Sequence, residues 1–192
     1  VKSTVTLILF GIGLSSLAGA LMALVTNFAP NPFYLSDMIT WMLGSVANRS
    51  LLDIALVLPF MLAGLLLLLS QRKGLTLLSL GEDTASTLGL SLTTTRICVV
   101  LGAGLATGAA VSLAGVIGFV GIVTPHLVRP LVNYEPGKTI IPSAVLGGVF
   151  LVLIDIGVRI ISTNVELKIG VLAALVGAPI FIWIASKSGR HE

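Results

Sequence analysis

The sequence alternates between long apolar stretches and short polar interruptions. Thr4 to Val25 reads TVTLILFGIGLSSLAGALMALV, and Ile54 to Ser70 is a second apolar run. An uncharged arm follows from Ile97 to Val128, then runs from about Thr139 to Val158 and from Ile169 to Ser186. About 20 mostly apolar residues cross a bilayer as a helix. The uncharged arm is too long for one crossing, so it divides near Ala114-Gly115 into two, giving six expected spans. Runs such as LLLLLS and VFLVLI are continuous, whereas barrel strands alternate in polarity over about 10 residues. The pattern therefore predicts an all-α polytopic transmembrane helical bundle.

Two polar connections stand out. In residues 26–53, Asn27, Pro30, Asn31 and Pro32 break the first helix. FYLSDMITWMLGSVA then predicts a short amphipathic helix with Tyr34 and Trp41 at the interface. Residues 74–95 form the most polar interior segment. There LSLGEDTASTLGL predicts a short helix, with Ser79 or Gly81 ahead of Glu82-Asp83 in its first turn. Gly89 would stop it, and its apolar side, Ala85 and Leu88, is expected to face one way and bury against something.

Composition sharpens the solvent. Charged residues make up 10% of the chain, against roughly 25% in soluble domains, and mean hydropathy is +1.09. Net charge is +3, but these cations punctuate spans, so retention on one side of a membrane explains them better than nucleic acid does. Threading six spans places Lys2, Arg72, Lys73, Arg96, Arg129, Lys138, Lys187 and Arg190 on one side and Arg49, Arg159 and Lys168 on the other. That bias predicts cytoplasmic termini, a cytoplasmic 74–95 loop and an extracytoplasmic 26–53 connection. Cys98 is the single cysteine, so no intrachain disulfide can form. The chain opens on Val1 without a cleavable signal pattern, which points to a segment of a longer protein.

Candidate chemistry is sparse. No Walker A loop, HExxH, GxSxG or zinc-type Cys/His cluster is present. His126 and His191 lack a second ligand nearby in sequence, so neither a catalytic residue nor a metal site is expected. Asp155 and Arg159, four apart on the fifth span, can pair along one helix face. An ion or proton site is the alternative reading of that pair. Gly11, Ser15 and Gly19 recur at i, i+4 and form a face that lets another helix approach. Gly115, Gly118 and Gly121 make the turn inside the uncharged arm possible, and Pro125 bends the helix after it.

Four blocks carry a resemblance: LSLGEDTASTLGL, GVIGFVGIVTPHLVR, IPSAVLGGVFLVLIDIGVR and VELKIGVLAALVGAPIFIW. In order and spacing they resemble the FecCD-type permeases of iron–siderophore, haem and cobalamin ABC importers (the type II importer fold). The resemblance covers essentially the whole chain. It implies that residues 1–192 are a single permease domain, the C-terminal part of a bundle of about ten helices. Two permease copies would form the path. Cytoplasmic ATPases would bind the loop at Leu80, Gly81, Glu82, Ala85, Leu88 and Gly89, and an extracytoplasmic binding protein would deliver the cargo. Gly118, Phe119, Gly121, Pro125, His126 and Arg129 match the second block. Gly177, Ala178 and Pro179 match the last helix, which with the first span would line the dimer axis. Lys168 replaces an expected proline, and Val123-Thr124 also depart from the pattern. Arg49, Arg159 and Lys168 are expected to meet acidic residues of the binding protein.

By the same resemblance the chain is a transport subunit of the bacterial inner (plasma) membrane, not an enzyme. It would bind no cofactor of its own, ATP being used by the partner ATPase. Ferric siderophores, haem, cobalamin and oxyanions all remain open as cargo. An ion-gradient-driven transporter or channel is the alternative, and it would need ionisable or broken-helix ligands at mid-membrane.

Overall fold

In the computed structural model, residues 4–28, 31–161 and 167–188 are described. The expectations for Lys2, Pro30, Arg190 and His191 lie outside them. Every regular element among the described residues is helical: α1 Thr4–Asn27, α2 Pro32–Leu43, α3 Leu51–Ser70, α4 Arg72–Leu78, α5 Glu82–Thr87, α6 Leu92–Ala114, α7 Val120–Val128, a 3-10 turn Arg129–Val132, α8 Pro136–Ile161 and α9 Ile169–Ser188. The chain divides into two compact units, Val1–Thr40 and Trp41–Glu192.

In the first unit, α1 carries no charged residue from Thr4 to Asn27. Thr26 Oγ1 donates to the Met22 carbonyl at 2.8 Å and approaches Met38 Sδ at 3.7 Å. Gly11 and Gly19 on the small-residue face have nothing within 4 Å.

In the second unit, α3 starts with a capping box. The Asp53 backbone N–H donates to Ser50 Oγ at 3.1 Å, and the Ser50 N–H donates to Asp53 Oδ2 at 2.9 Å. This satisfies helix-end donors that would otherwise be orphaned. Helix α3 packs on α6 through glycine. A Cβ on Gly64 would lie 2.6 Å from the Ala106 nitrogen and from the Gly102 carbonyl, so the two backbones touch. Gly102 and Ala106 are a small-xxx-small pair, the pattern that permits such approach in lipid.

Four helices among the described residues, α1, α3, α6 and α8, are long and apolar enough to cross a membrane. Two shorter apolar stretches, Val120–Val132 and Ile169–Ile184, stand where the other two of the six expected spans fall. The division at Ala114-Gly115 holds, because α6 ends at Ala114. Helical bonding resumes only at Val120, and Pro130, which lacks an N–H, falls in the 3-10 turn that ends the leg. Yet the short α7 is deeply packed, with Val123 fully buried and Val128 and Thr124 nearly so. Ile154 and Val158 of α8 form a small core with Ile169 and Ala173 of α9. The outer faces of the long helices remain apolar and exposed, which suits a hydrocarbon solvent.

Candidate coupling site

The polar segment folds as two short helices. The chain leaves α3 at Gln71, which both ends α3 and precedes α4. Helix α5 is delimited by glycine at both ends. Gly81, at φ 98°, is its N-cap, so of the two residues considered for this role Gly81 fills it. Gly89, at φ 85°, is the stop residue the sequence predicts. Its N–H donates to the Ser86 carbonyl at 3.0 Å, and the Leu90 N–H donates to the Ala85 carbonyl at 3.0 Å. These two bonds are the pair that ends a helix in a Schellman motif.

Helix α5 is moored to the bundle by charge and by packing. Glu82 Oε2 lies 2.6 Å from Arg96 Nη2 on α6. Ala85 is completely buried, as is Thr95 apart from 2% of its surface. Gly74 of α4 leaves room for Leu90 and Thr95, each 3.2 Å from where a Cβ would stand. Ala85 and Leu88 therefore do not share a face, contrary to expectation. Ala85 is the internal contact, while Leu88 is 59% exposed and Leu80 is 61% exposed. The reason is register: Leu88 is the helix C-cap, already turning away as the chain enters Gly89. Two exposed leucines thus flank an anchored α5.

The mooring continues into α8. Arg72 Nε donates to the Gly137 carbonyl at 3.1 Å, and a Cβ on Gly137 would collide with the Arg72 carbonyl. Gly137 is buried here. Lys138 and Glu135 form an ion pair beside it at 2.7 Å.

At the far end of α6 the chain is clasped. The Ser45 N–H donates to the Ala114 carbonyl at 2.7 Å, and the Val116 N–H donates to the Trp41 carbonyl at 3.0 Å. Gly115 has φ 70° and ψ −167°, backbone that essentially only glycine adopts, and a Cβ there would collide with the Trp41 carbonyl. Gly44, also at φ 70°, would meet Ile117 at 2.7 Å if it carried a Cβ. Gly170, at the start of α9, is pressed against the Leu43 carbonyl. Three glycines from three segments thus let three backbones converge.

The expected role of the arm's glycines changes accordingly. Gly115 is required, but Gly118 is exposed, and neither Gly118 nor Gly121 has a neighbour within 4 Å of a would-be Cβ. The second left-handed residue of the turn is Phe119, at φ 66°. Its side chain explains why: a Cβ on Gly177 of α9 would lie 2.6 Å from Phe119 Cβ, so the strained backbone seats the ring on that glycine. Gly177 is therefore buried within the chain, while Ala178 is half-buried and Pro179 exposed. His126 Nδ1 lies 2.8 Å from the Ile122 carbonyl, and its ring meets Phe181 edge-on at 6.1 Å. Pro125 lies inside α7, and Arg129 is exposed just beyond it.

Asp155 and Arg159 pair as the spacing predicts, with Nε to Oδ2 at 2.8 Å. Arg159 is 68% exposed at the side chain, and this pair is the end of α8 opposite to Gly137. Arg49 is exposed ahead of α3, and Lys168 is half-buried ahead of α9. Among the described residues, no three His, Cys, Asp or Glu side chains converge as metal ligands would. Sequence reading missed Arg72, Arg96, Gly44, Gly137 and Gly170.

The described residues thus form an all-helical, multi-pass membrane architecture with a glycine-bounded, moored short helix, α5. The chain belongs to the FecCD transport family, which it matches over residues 1–187. It is 38% identical over 188 residues to the ABC transporter permease protein YvrB of Bacillus subtilis, covering 98% of this chain and 53% of that one. It is 37% identical over 193 residues to the vitamin B12 import system permease protein BtuC of Salmonella typhi, covering 98% and 57%. Among solved structures it resembles an inward-facing metal-chelate type ABC transporter at a TM-score of 0.89 and 32% identity, covering 97% of this chain and 60% of that one. The chain thus spans a little over half the length of these relatives.

Proposed function

We propose that this segment is the C-terminal part of a permease subunit in an ABC importer of the bacterial inner membrane, taking metal-chelate or cobalamin-type cargo. Two copies would enclose the path, an extracytoplasmic protein would deliver the cargo, and cytoplasmic ATPases would dock on α5. The single observation that carries this reading is the moored helix α5, with Leu80 and Leu88 exposed on either side of a buried Ala85. An apolar pair held on a rigid base needs a partner surface, and a rigid base transmits force.

The same geometry suggests how force would travel. A push on α5 reaches α6 through Glu82 and Arg96, and the adjoining α4 reaches α8 through Arg72 and Gly137. The Gly44–Gly115–Gly170 clasp holds the far end of α6 against the end of α2 and the start of α9, so α6 would rock as a near-rigid body about it. Within the described spans the ion-gradient alternative has Asp155 and Arg159 to work with, and these already neutralise one another.

The test is co-purification of the intact permease with its ATPase, followed by ATPase and uptake assays. Leu88→Asp should abolish complex formation while the permease still accumulates in the membrane. ATP-dependent uptake that survives Leu88→Asp at wild-type level would sink the docking assignment. Uptake with radiolabelled ferric siderophore, haem and cobalamin would identify the cargo.

A further inference from the structure

We propose that the groove bounded by the end of α3, helix α4 and the start of α8 seats the phosphate headgroup of an anionic phospholipid. Position is the first argument. Leu69 and Ser70 are the last residues of one apolar span, and Gly137 and Lys138 open another. Their junction therefore lies where a bilayer's hydrocarbon gives way to headgroups. The groove encloses about 740 Å³, within the range of small-molecule sites.

Its chemistry is the second argument. Arg72, Lys73 and Lys138 line it against one carboxylate, Glu135, which leaves two positive charges in excess. Lys138 and Glu135 pair at 2.7 Å. Arg72 is held by its Nε bond to Gly137, so its terminal amino groups are positioned for a phosphate with little further loss of freedom. Leu69 and Leu77 also line it, beside Ser70 and Thr76, and these two apolar side chains suit a lipid's glycerol and upper acyl carbons better than a freely soluble anion. Basic pockets between spanning helices on the cytoplasmic side are the kind that hold anionic headgroups. The inference is independent of the transport reading, because it needs only a membrane and this groove. Neither exposed leucine, Leu80 or Leu88, lines the groove.

The experiment uses the intact permease with its ATPase subunits, equilibrated in mild detergent with phosphatidylglycerol or phosphatidylcholine of matched chains. Native mass spectrometry then counts retained lipid. Wild type should retain phosphatidylglycerol preferentially, and K73Q/K138Q should lower that preference by about fivefold per lysine removed. Phosphatidylcholine retention and melting temperature should not change. If the double variant does not accumulate, K73Q alone, an exposed side chain, should produce one such fivefold step. Equal retention of the two lipids by wild type, or an unchanged preference in K73Q, would overturn the proposal. Displacement of phosphatidylglycerol by millimolar glycerol phosphate would also overturn it, by assigning the groove to soluble phosphates.

Discussion

Arg72 and Gly137, 65 positions apart, hold one another in both directions: the Arg72 side chain donates to the Gly137 carbonyl, and the bare Gly137 Cα makes room for the Arg72 carbonyl. Neither half of this contact survives a side chain at position 137. Gly137→Ala should destabilise the permease by about 1–3 kcal/mol, the usual range for overpacking. Thermal unfolding in detergent measures it. If α4 and α8 move together, ATPase stimulation by cargo-loaded binding protein should also fall in the fraction that remains folded.

Gly115→Ala tests the clasp. The substitution meets both a backbone conformation reserved for glycine and the Trp41 carbonyl. Strain alone is of order 1–3 kcal/mol, so the folded yield should drop sharply. Gly118→Ala, at an exposed position with open space around its Cα, should be nearly silent in the same assay. Equal losses from both would show that the arm tolerates no side chain anywhere and that the clasp is not special.

The Glu82–Arg96 pair invites a charge exchange. Arg96 is 19% exposed at the side chain and Glu82 is 44% exposed, so the pair is only partly screened. Glu82→Arg alone should place two cations together and weaken ATPase coupling at least several-fold. Glu82→Arg combined with Arg96→Glu should recover much of it. The coupling energy from the double-mutant cycle should be about 0.5–3 kcal/mol, as for contacting residues.

Ala85 and Leu88 should separate stability from docking. Ala85→Leu forces bulk into a site with no exposure and should lower the melting temperature, at a cost of about 1–3 kcal/mol. Leu88→Ser removes an exposed side chain, and its effect on stability should stay within about 0.5 kcal/mol. Its effect should appear instead as lost ATPase co-purification. Reversal of these two outcomes would mean that Leu88 is the anchor and Ala85 the docking residue.

Much of this was legible beforehand, for reasons that differ by residue. Gly89 ended α5 as expected because a helix stop depends on local backbone conformation. The Asp155–Arg159 pair formed because i, i+4 spacing alone brings such side chains together. The division after Ala114 also held. Sequence spacing puts Ala85 and Leu88 on one face because residues three apart along a helix are neighbours. The helix, however, ended one residue too early for that rule. Gly177 seats Phe119, a contact its sequence position does not reveal. Nothing in the run GVIGFVG tells which residue takes positive φ, since the ring's destination lies on another helix.

The sequence by itself determined the solvent, the helical class, the Gly89 stop of the polar helix α5 and the family. Those follow from composition, local periodicity and motif order, which act within a few residues of chain. Only the tertiary structure decided that α7 is short and deeply buried, that α5 is moored through Arg96, and that Gly44, Gly115 and Gly170 form one clasp. These depend on backbones brought together from distant parts of the chain. A glycine in an apolar run looks the same whether it faces lipid or another backbone, and only the packed helices distinguish the two.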